Sequence, residues 1–402
     1  MMRSRRHLRG QNKTITSVNR SMFLQSEMGT QVAKPVIVIS AVNLIEGGTL
    51  SILKDCLTYA ATHLTDRYKV IALVHSSALF DLPAIDFIEL PKAKRAWLNR
   101  LYYEFFHFSR LSRQLKPYLW LSLHDITPNV EATRRAVYCH NSSPFYNLPL
   151  SQALMDPTFF LFNRFYRYLY KINIKKNDFV IVQQRWLRRE FEKLLKPRRV
   201  LVARPKVPED WKDEKTDPLY PYKNGITRLI YPAFPRVFKN FEIIGEAVQH
   251  IRKRGIEDVE ILITLSGQEN QYARWLFKRF GLLKEIKFIG LQSRETIYHL
   301  YREVDAMIFP SKLETWGMPL TEFKVLDKPI LAADLPYAHE TIGQYHKVKF
   351  FNPDDPEGLS DLIIRLRQGE LEYDRPVPET PEVDCTEGWG ELFDLLLNPR
   401  IL

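Results

Sequence analysis

Short apolar runs alternate along this chain with longer segments of helical periodicity. Six runs in the first half predict buried strands, at Val36–Ala41, Tyr68–Val74, Asp86–Leu90, Tyr118–Leu123, Ala136–Cys139 and Phe179–Val182. Six more in the second half predict strands at Thr227–Tyr231, Val259–Thr264, Ile286–Ile289, Ala306–Phe309, Ile330–Ala333 and Val348–Phe351. Helical spacing separates many of these runs. Such alternation is typical of parallel sheets with helices on both faces.

The pattern divides the chain into two α/β domains. Residues 35–205 are predicted to form a doubly wound, Rossmann-like domain, and residues 226–380 a second one. A polar, proline-containing linker at 206–225 joins them, and a last helix within 381–402 is expected to pack back on the first domain. Because ligands of doubly wound sheets bind beyond the carboxyl ends of the strands, a site is expected in the cleft between the domains.

The amino terminus and the cysteines bear on location. Residues 1–34 hold seven Lys/Arg and one Glu without any period, which predicts a disordered basic extension; an organellar transit peptide is the alternative. The three cysteines are too scattered for a disulfide framework or a zinc site, which favours a reducing, cytoplasmic compartment. No apolar run approaches the roughly 18 residues of a membrane-spanning helix. Any membrane contact is therefore expected to be peripheral.

The net charge of +11 is unevenly distributed. Residues 1–199 carry 31 Lys/Arg against 14 Asp/Glu, whereas residues 200–402 carry 27 against 33. Much of the excess lies in two segments where basic and aromatic residues interleave, 92–116 and 159–176. Such segments suit anionic lipid headgroups or a phosphorylated ligand. Single-stranded nucleic acid, or a packed aromatic core with a solvated basic face, are the alternatives.

Several common chemistries have no motif in this chain. The sequence has no P-loop, no Gly-x-Gly-x-x-Gly fingerprint, no Gly-x-Ser-x-Gly elbow and no His-Glu-x-x-His. It also lacks any Asp-x-Asp pair that could hold a metal–nucleotide complex. Neither a bound metal nor another cofactor is expected.

The strongest chemical signal lies in residues 309–322, which read Phe-Pro-Ser-Lys-Leu-Glu-Thr-Trp-Gly-Met-Pro-Leu-Thr-Glu after a predicted strand. Glu314 is predicted in the loop, and Glu322 one turn into the next helix. Pro319 suits a first helical turn, and Gly317 allows the backbone to approach a ligand closely. Free amides at such a helix start can bind an anion. A solvated helix with two surface glutamates is the alternative.

The pattern Glu-x-x-Gly-x-Pro-x-x-Glu resembles the hallmark of retaining nucleotide-sugar glycosyltransferases of GT-B fold, in particular glycosyltransferase family 4. The resemblance covers roughly residues 35–366 and is strongest in the second domain. It implies that Glu314 contacts hydroxyls of the donor sugar and that Glu322 contacts the nucleoside ribose. It also implies that the backbone amides of Gly317 and Met318 meet the diphosphate.

A second segment, residues 231–240, resembles the basic loop of the same family. There the resemblance implies that Arg236 and Lys239 neutralise the donor diphosphate. Fixed cations suit this task, because negative charge grows on a departing nucleoside diphosphate. The match is closer for Lys239 than for Arg236, since the family's arginine often stands further upstream. Ordinary solvated charges are the alternative for both.

The first domain supplies weaker candidates at the ends of its predicted strands. Gly47 and Gly48 resemble the family's glycine-rich loop near the donor phosphates, although a simple turn explains them equally well. His140 resembles a histidine that lies near the transferred sugar, and we predict a catalytic role for it. His124 and Asp125 are weak candidates for the acceptor side of the cleft.

The resemblance implies transfer of a sugar from a nucleoside-diphosphate donor to a hydroxyl acceptor with retention at the anomeric carbon. The expected partners are the donor, a glycan or lipid-linked saccharide of bacterial polysaccharide type, and an anionic membrane surface at the inner face of the cell membrane. Nucleic acid is not expected. A nucleic-acid-binding protein and a catalytically silent scaffold of the same fold are the alternative functions.

Overall fold

The computed structural model describes residues 33–207, 211–212, 218–219, 225–376 and 383–398. The predicted basic extension therefore lies almost entirely outside the described residues, as does much of the predicted linker. From Pro35 onward the chain forms one compact unit.

The first half alternates strands and helices. Its strands are β1 (Val36–Ser40), β2 (Lys69–Val74), β3 (Asp86–Glu89), β4 (Leu119–Ser122), β5 (Arg134–Tyr138), β6 (Phe179–Val182) and β7 (Val200–Arg204). Its α-helices are α1 (Gly47–His63), α2 (Trp97–Tyr102), α3 (Phe108–Leu115), α4 (Leu150–Met155), α5 (Pro157–Lys171) and α6 (Arg185–Leu195). A π-helical turn, Tyr103–His107, joins α2 to α3.

The second half repeats this plan. Its strands are β8 (Thr227–Tyr231), β9 (Val259–Ile263), β10 (Ile286–Phe288), β11 (Ala306–Phe309), β12 (Ile330–Ala333) and β13 (Val348–Phe351). Its helices are α7 (Phe241–Lys253), α8 (Gln271–Phe280), α9 (Arg294–Glu303), α10 (Met318–Lys324), α11 (Pro336–Ile342) and α12 (Pro356–Gln368). The chain then adds β14 (Cys385–Glu387) and α13 (Gly388–Leu397).

Each half builds its own parallel sheet. The first has the order β14-β7-β6-β5-β4-β1-β2-β3 and the second β10-β9-β8-β11-β12-β13, with every neighbouring pair parallel. In both sheets the order reverses beside the first strand, between β1 and β4 and between β8 and β11. This is the switch point at which doubly wound sheets bind ligands. The predicted α/β class with two Rossmann-like sheets is confirmed.

The carboxyl-terminal elements belong to the first sheet. β14 pairs with β7, and α13 buries Leu392, Phe393 and Leu396 in the core on one face of that sheet. The guanidinium of Arg134, only 2% exposed, donates hydrogen bonds to the carbonyls of Leu396 and Asn398, each at 2.7 Å. A cation at the end of a helix satisfies carbonyls that lack partners within the helix. These contacts hold α13 on the first domain.

The two domains also meet through Gln184, at the start of α6. This fully buried side chain lies with its Nε2 2.8 Å from Oγ1 of Thr341 and 3.0 Å from the carbonyl oxygen of Tyr337. The carbonyl of Trp316, directly before Gly317, lies 3.3 Å from the same nitrogen. The first domain therefore fixes the loop that precedes α10.

Candidate functional site

Lys239 and Glu314 form an ion pair at the switch point of the second sheet. Lys239 ends a 3-10 turn, Val237–Lys239, that follows β8, and Glu314 lies in the loop between β11 and α10. Lysine Nζ lies 2.5 Å from Oε1 of Glu314, and the two side chains are 18% and 12% exposed. Neighbouring strand ends bring together residues 75 positions apart. The pair places a cation and an anion side by side in a site that is largely shielded from solvent.

Glu322 lies one turn into α10 and is held from α9. Its Oε1 accepts a hydrogen bond from the Tyr298 hydroxyl at 3.1 Å and lies 3.4 Å from Nη2 of Arg294. Its Oε2 lies 3.4 Å from the Tyr301 hydroxyl. Burial raises the pKa of Glu322, while Arg294 and the two phenols act in the opposite direction. A nearly buried carboxylate of this kind is fixed in place, which suits recognition of hydroxyl groups.

One cavity of about 1090 Å³ is lined by both domains. Gly47 and Gly48, at the start of α1, line it from the first domain, and Met318 and Glu322 line it from the second. Gly47 has φ of +63°, and a Cβ built on it would meet no atom within 4 Å. Its conformation favours glycine and leaves the helix start open toward the cavity. Gly317, with φ of +88°, provides the corresponding turn before α10.

Arg236 does not join the Lys239–Glu314 pair. Its Nη1 lies 3.0 and 3.1 Å from the two carboxylate oxygens of Asp156, which belongs to the first domain. Asp156 also caps α5 by accepting from the backbone N–H of Phe159 at 3.0 Å. The ring of Phe159 packs on Phe238 with centroids 4.8 Å apart. Arg236 therefore links the start of α5 to the basic loop.

His124 and Asp125 lie in a buried network, which leaves His124 no surface with which to meet an acceptor. The ring of His124 is fully buried between the Ser40 hydroxyl, 3.0 Å from Nε2, and Glu104, 3.1 Å from Nδ1. The Asp125 carboxylate accepts hydrogen bonds from the backbone of His140 and Asn141 and from the hydroxyls of Tyr166 and Tyr170. The acceptor role predicted for His124 is not retained, and Asp125 shapes the loop after β5.

The Ser40–His124–Glu104 geometry resembles the relay of a serine hydrolase, but all three side chains are fully buried. The π-helical turn carries Glu104 into this position, beside Arg100 at 3.9 Å. Burial raises the pKa of Glu104 to about 8, although Arg100 lowers it, and burial lowers the pKa of His124 well below its usual range. Both groups are therefore neutral near pH 7, and the relay is structural.

We expect Glu104→Gln to remove a pH-dependent loss of stability. An unfolded Glu titrates near pH 4.3, so the raised pKa stabilises the fold fully below that pH, and the effect is lost as the pH rises through about 8. The neutral amide keeps the size and shape of the side chain. Between about pH 5 and 8 the unfolding free energy of the unmodified chain should fall relative to that of the variant by up to about 1.4 kcal/mol per pH unit. Urea unfolding at several pH values measures this, and parallel pH profiles would contradict it.

His140 lies beside the shared cavity. Its ring stacks on Tyr138 with centroids 4.4 Å apart, and Tyr138 lines the cavity. Both ring nitrogens are shielded and have no hydrogen-bond partner among the described residues. Burial lowers the pKa of His140, while Asp125 acts in the opposite direction. The ring therefore lies behind Tyr138, and its shielded nitrogens do not face the cavity directly.

Sequence reasoning missed three residues that complete the site. Arg294 and Asp156 each pair with a predicted residue, and Gln184 holds the loop before Gly317. None of them belongs to a motif, and each comes from an element distant in sequence from its partner. Among the described residues, no group of three or more His, Cys, Asp or Glu could hold a metal ion. In the same part of the chain, no helix is long and apolar enough to cross a membrane.

Comparison with known proteins finds a family match in the second half of the chain. Residues 214–382 match the model of the glycosyl transferases group 1. An uncharacterized glycosyltransferase of Methanocaldococcus jannaschii is 22% identical over 128 residues, which cover 32% of this chain and 32% of that protein. The chain thus matches about a third of the length of this curated relative. Residues 214–382 are therefore similar to a glycosyltransferase group 1 domain.

Solved structures extend the likeness to both domains. WaaG, a glycosyltransferase involved in lipopolysaccharide biosynthesis, matches with a TM-score of 0.62 and 12% identity, over 83% of this chain and 90% of that one. Anabaena HepE in complex with UDP matches with a TM-score of 0.54 and 14% identity, over 83% and 90%. The chain therefore has the GT-B fold that its sequence predicted.

Proposed function

We propose that this protein is a retaining glycosyltransferase of family 4 type. It transfers a sugar from a nucleoside-diphosphate donor to a hydroxyl of a glycan or lipid-linked saccharide, in polysaccharide assembly of bacterial type. The observation that carries the proposal is the Lys239–Glu314 pair at the switch point of the second sheet, within the residues that match the group 1 model. The cavity between the domains receives Glu322, eight positions after Glu314. A structural neighbour of this chain was crystallised with UDP, which supports a nucleotide donor.

The geometry suits the proposed chemistry step by step. The donor diphosphate takes the place of Glu314 as the partner of Lys239, and Glu314 turns to hydroxyls of the sugar. Glu322 accepts hydrogen bonds from the ribose, and the amides of Gly317 and Met318 meet the diphosphate. As the bond between the anomeric carbon and the phosphate oxygen breaks, the ammonium of Lys239 stabilises the charge on the leaving group. The acceptor oxygen bonds to the same face of the carbon, and its proton passes to the departing phosphate.

The test is a screen of nucleotide sugars. Each is incubated with the protein and the release of nucleoside diphosphate is followed, with and without EDTA, because the proposal assigns charge stabilisation to Lys239 rather than to a metal. The anomeric configuration of the product is read by NMR. Release from at least one donor, insensitive to EDTA and with retained configuration, is expected. No release from any donor would contradict the proposal.

Asp156→Asn is expected to tighten binding of a nucleoside diphosphate about three- to tenfold. Asparagine still caps α5, but it no longer neutralises Arg236, whose guanidinium is then free for the diphosphate. Calorimetric titration measures the change. Asp361→Asn, which removes an exposed carboxylate that pairs with Arg254, serves as the control. Unchanged or weaker binding in Asp156→Asn would contradict a donor role for Arg236.

An exposed aromatic and basic surface supports the proposed membrane contact. The helices α2 and α5 are adjacent, since Trp97 contacts Phe162 and Tyr166. Large apolar side chains between 38% and 79% exposed lie on these helices and on the π-helical turn: Trp97, Leu98, Tyr102, Phe106, Phe160, Leu161, Phe165 and Tyr168. Arg164, Arg167 and Lys171 are interleaved with those of α5. This composition suits insertion among anionic headgroups.

We expect the double variant Phe106→Ser and Phe165→Ser to lower partitioning onto phosphatidylglycerol vesicles at least about tenfold, because each buried phenyl group contributes about 1.5–3 kcal/mol. Co-sedimentation measures the partitioning. Leu282→Ser, which alters a side chain 95% exposed on the second domain, is the control. Equal partitioning of the double variant and the unmodified chain, or tighter binding to single-stranded DNA than to the vesicles, would contradict a membrane role.

A further inference from the structure

Arg294, the first residue of α9, lies beside Glu322 in the cavity that both domains line. Its side chain lines the shared cavity and is 35% exposed. Its Nε donates to the Tyr298 hydroxyl at 2.5 Å, and that hydroxyl donates to Oε1 of Glu322. The guanidinium also lies 3.4 Å from the same oxygen. Arg294 therefore holds one carboxylate oxygen of Glu322 both directly and through Tyr298.

Glu322 depends on this support because of its burial. The residue is 8% exposed, and burial of a carboxylate disfavours its charged form. The groups that face it from α9 are Arg294, Tyr298 and Tyr301, of which only Arg294 is a cation. Without that cation, the carboxylate is expected to bind a proton more readily and to lose acceptor capacity for ribose hydroxyls.

The first domain contributes a carboxylate to the same cavity. Asp55, on α1, lines the shared cavity, and burial raises its pKa while the charge of Arg294 lowers it. The cavity lining also includes His63 and the charged side chains of Arg204, Lys206, Glu387 and Glu391. Arg294 thus pairs with Glu322 and acts electrostatically on Asp55, which lines the same cavity from the first domain.

Trp211, in the linker, packs against residues of α9. Trp211 stacks on Tyr298 with ring centroids 4.2 Å apart and an interplanar angle of 13°. The Trp211 carbonyl accepts a hydrogen bond from Arg302, also on α9, at 2.7 Å. The phenol that supports Glu322 is therefore packed against the segment that joins the domains.

We propose that Arg294 is a positioning residue for the donor nucleoside. It orients Glu322 toward the ribose and its charge favours the carboxylate form, while Asp55 faces the same cavity from the opposite domain. The arrangement links nucleoside binding to the approach of the two domains. This inference rests on the proposed function, in which Glu322 contacts the ribose.

The test measures nucleoside-diphosphate binding against pH. UDP, GDP, ADP and dTDP are titrated calorimetrically into the full chain, and the tightest binder is the probe between about pH 5 and 9. Arg294→Gln is expected to raise the Kd at pH 7 at least about tenfold and to move the midpoint of acid-induced loss of binding upward by about one pH unit, as expected for a carboxylate deprived of a neighbouring cation. Arg294→Lys should return the midpoint toward that of the unmodified chain.

Asp55→Asn gives the opposite sign. It should lower the Kd up to about threefold and shift the midpoint downward, because Arg294 then serves Glu322 alone. Combined with Arg294→Gln, it should have no such effect. Arg279→Gln, on α8, is the matched control, since Arg279 pairs with Glu246 on the surface.

The outcomes distinguish failure of the proposed function from failure of the positioning role alone. If no probe binds the unmodified chain, the proposed function fails. If a probe binds and Arg294→Gln leaves both Kd and midpoint unchanged, only the positioning role fails. A weaker Kd with an unshifted midpoint that Arg294→Lys does not improve would show a structural role instead, and would also overturn the inference.

Discussion

Replacement of Lys239 with alanine is expected to lower the turnover number for sugar transfer about a thousandfold. Removal of one preorganised group that stabilises transition-state charge costs about a hundred- to a thousandfold in other enzymes. Lys239 is expected at the upper end because it is only 18% exposed and because its loss leaves the Glu314 carboxylate unpaired. That unpaired anion repels the diphosphate as well. Steady-state kinetics with the identified donor measures the loss.

A matched control separates this effect from a general loss of charge. Lys287→Ala removes an exposed lysine of the same domain, 3.9 Å from Glu260, and should leave turnover within about twofold. Circular dichroism should show both variants folded. A folded Lys239→Ala variant that retains turnover within tenfold of the unmodified chain would contradict the proposed role of this cation.

Glu314→Gln is expected to lower turnover about a hundredfold while leaving the Kd for the free nucleoside diphosphate unchanged or lower. The amide keeps the shape of the side chain but cannot accept hydrogen bonds from sugar hydroxyls at both positions. It also releases Lys239 from an ion pair 2.5 Å long, which makes the ammonium more available to the diphosphate. The variant thus separates sugar recognition from nucleotide recognition. Kinetics and calorimetry on the same preparation measure the two quantities.

Glu372→Gln, which alters an exposed glutamate far along the chain, is the control for Glu314→Gln. It should leave both turnover and Kd unchanged. If Glu314→Gln weakens binding of the free nucleoside diphosphate as strongly as it lowers turnover, Glu314 does not act on the sugar. In that case the ion pair with Lys239 serves to organise the diphosphate site.

Most of the fold could be predicted from the sequence because strands of parallel sheets are buried on both faces and stand out as apolar runs. Two strands were missed. β7 directly precedes the linker. No predicted helix follows it, so the alternation of strand and helix did not indicate a strand there. β14 has only three residues, and only its pairing with β7 makes it a strand.

The sequence indicated the candidate site only through segments that are each short and local, such as residues 231–240 and 309–322. Glu314, Gly317 and Glu322 lie within one loop and one helical turn, so their spacing indicates their shared position. Asp156 and Arg236 are 80 positions apart and meet only because the domains pack together. The burial of individual side chains could not be predicted either. His124 follows the end of β4, where ligands of such sheets bind, but Glu104 on the π-helical turn covers it.

The most direct test of the central claim is a crystal structure of the protein with the nucleoside diphosphate that binds it most tightly. The account predicts that the diphosphate lies between Lys239 and the amides of Gly317 and Met318, with the ribose hydroxyls on Glu322 and the Lys239–Glu314 pair broken. A nucleotide bound elsewhere, with that pair intact, would contradict the account.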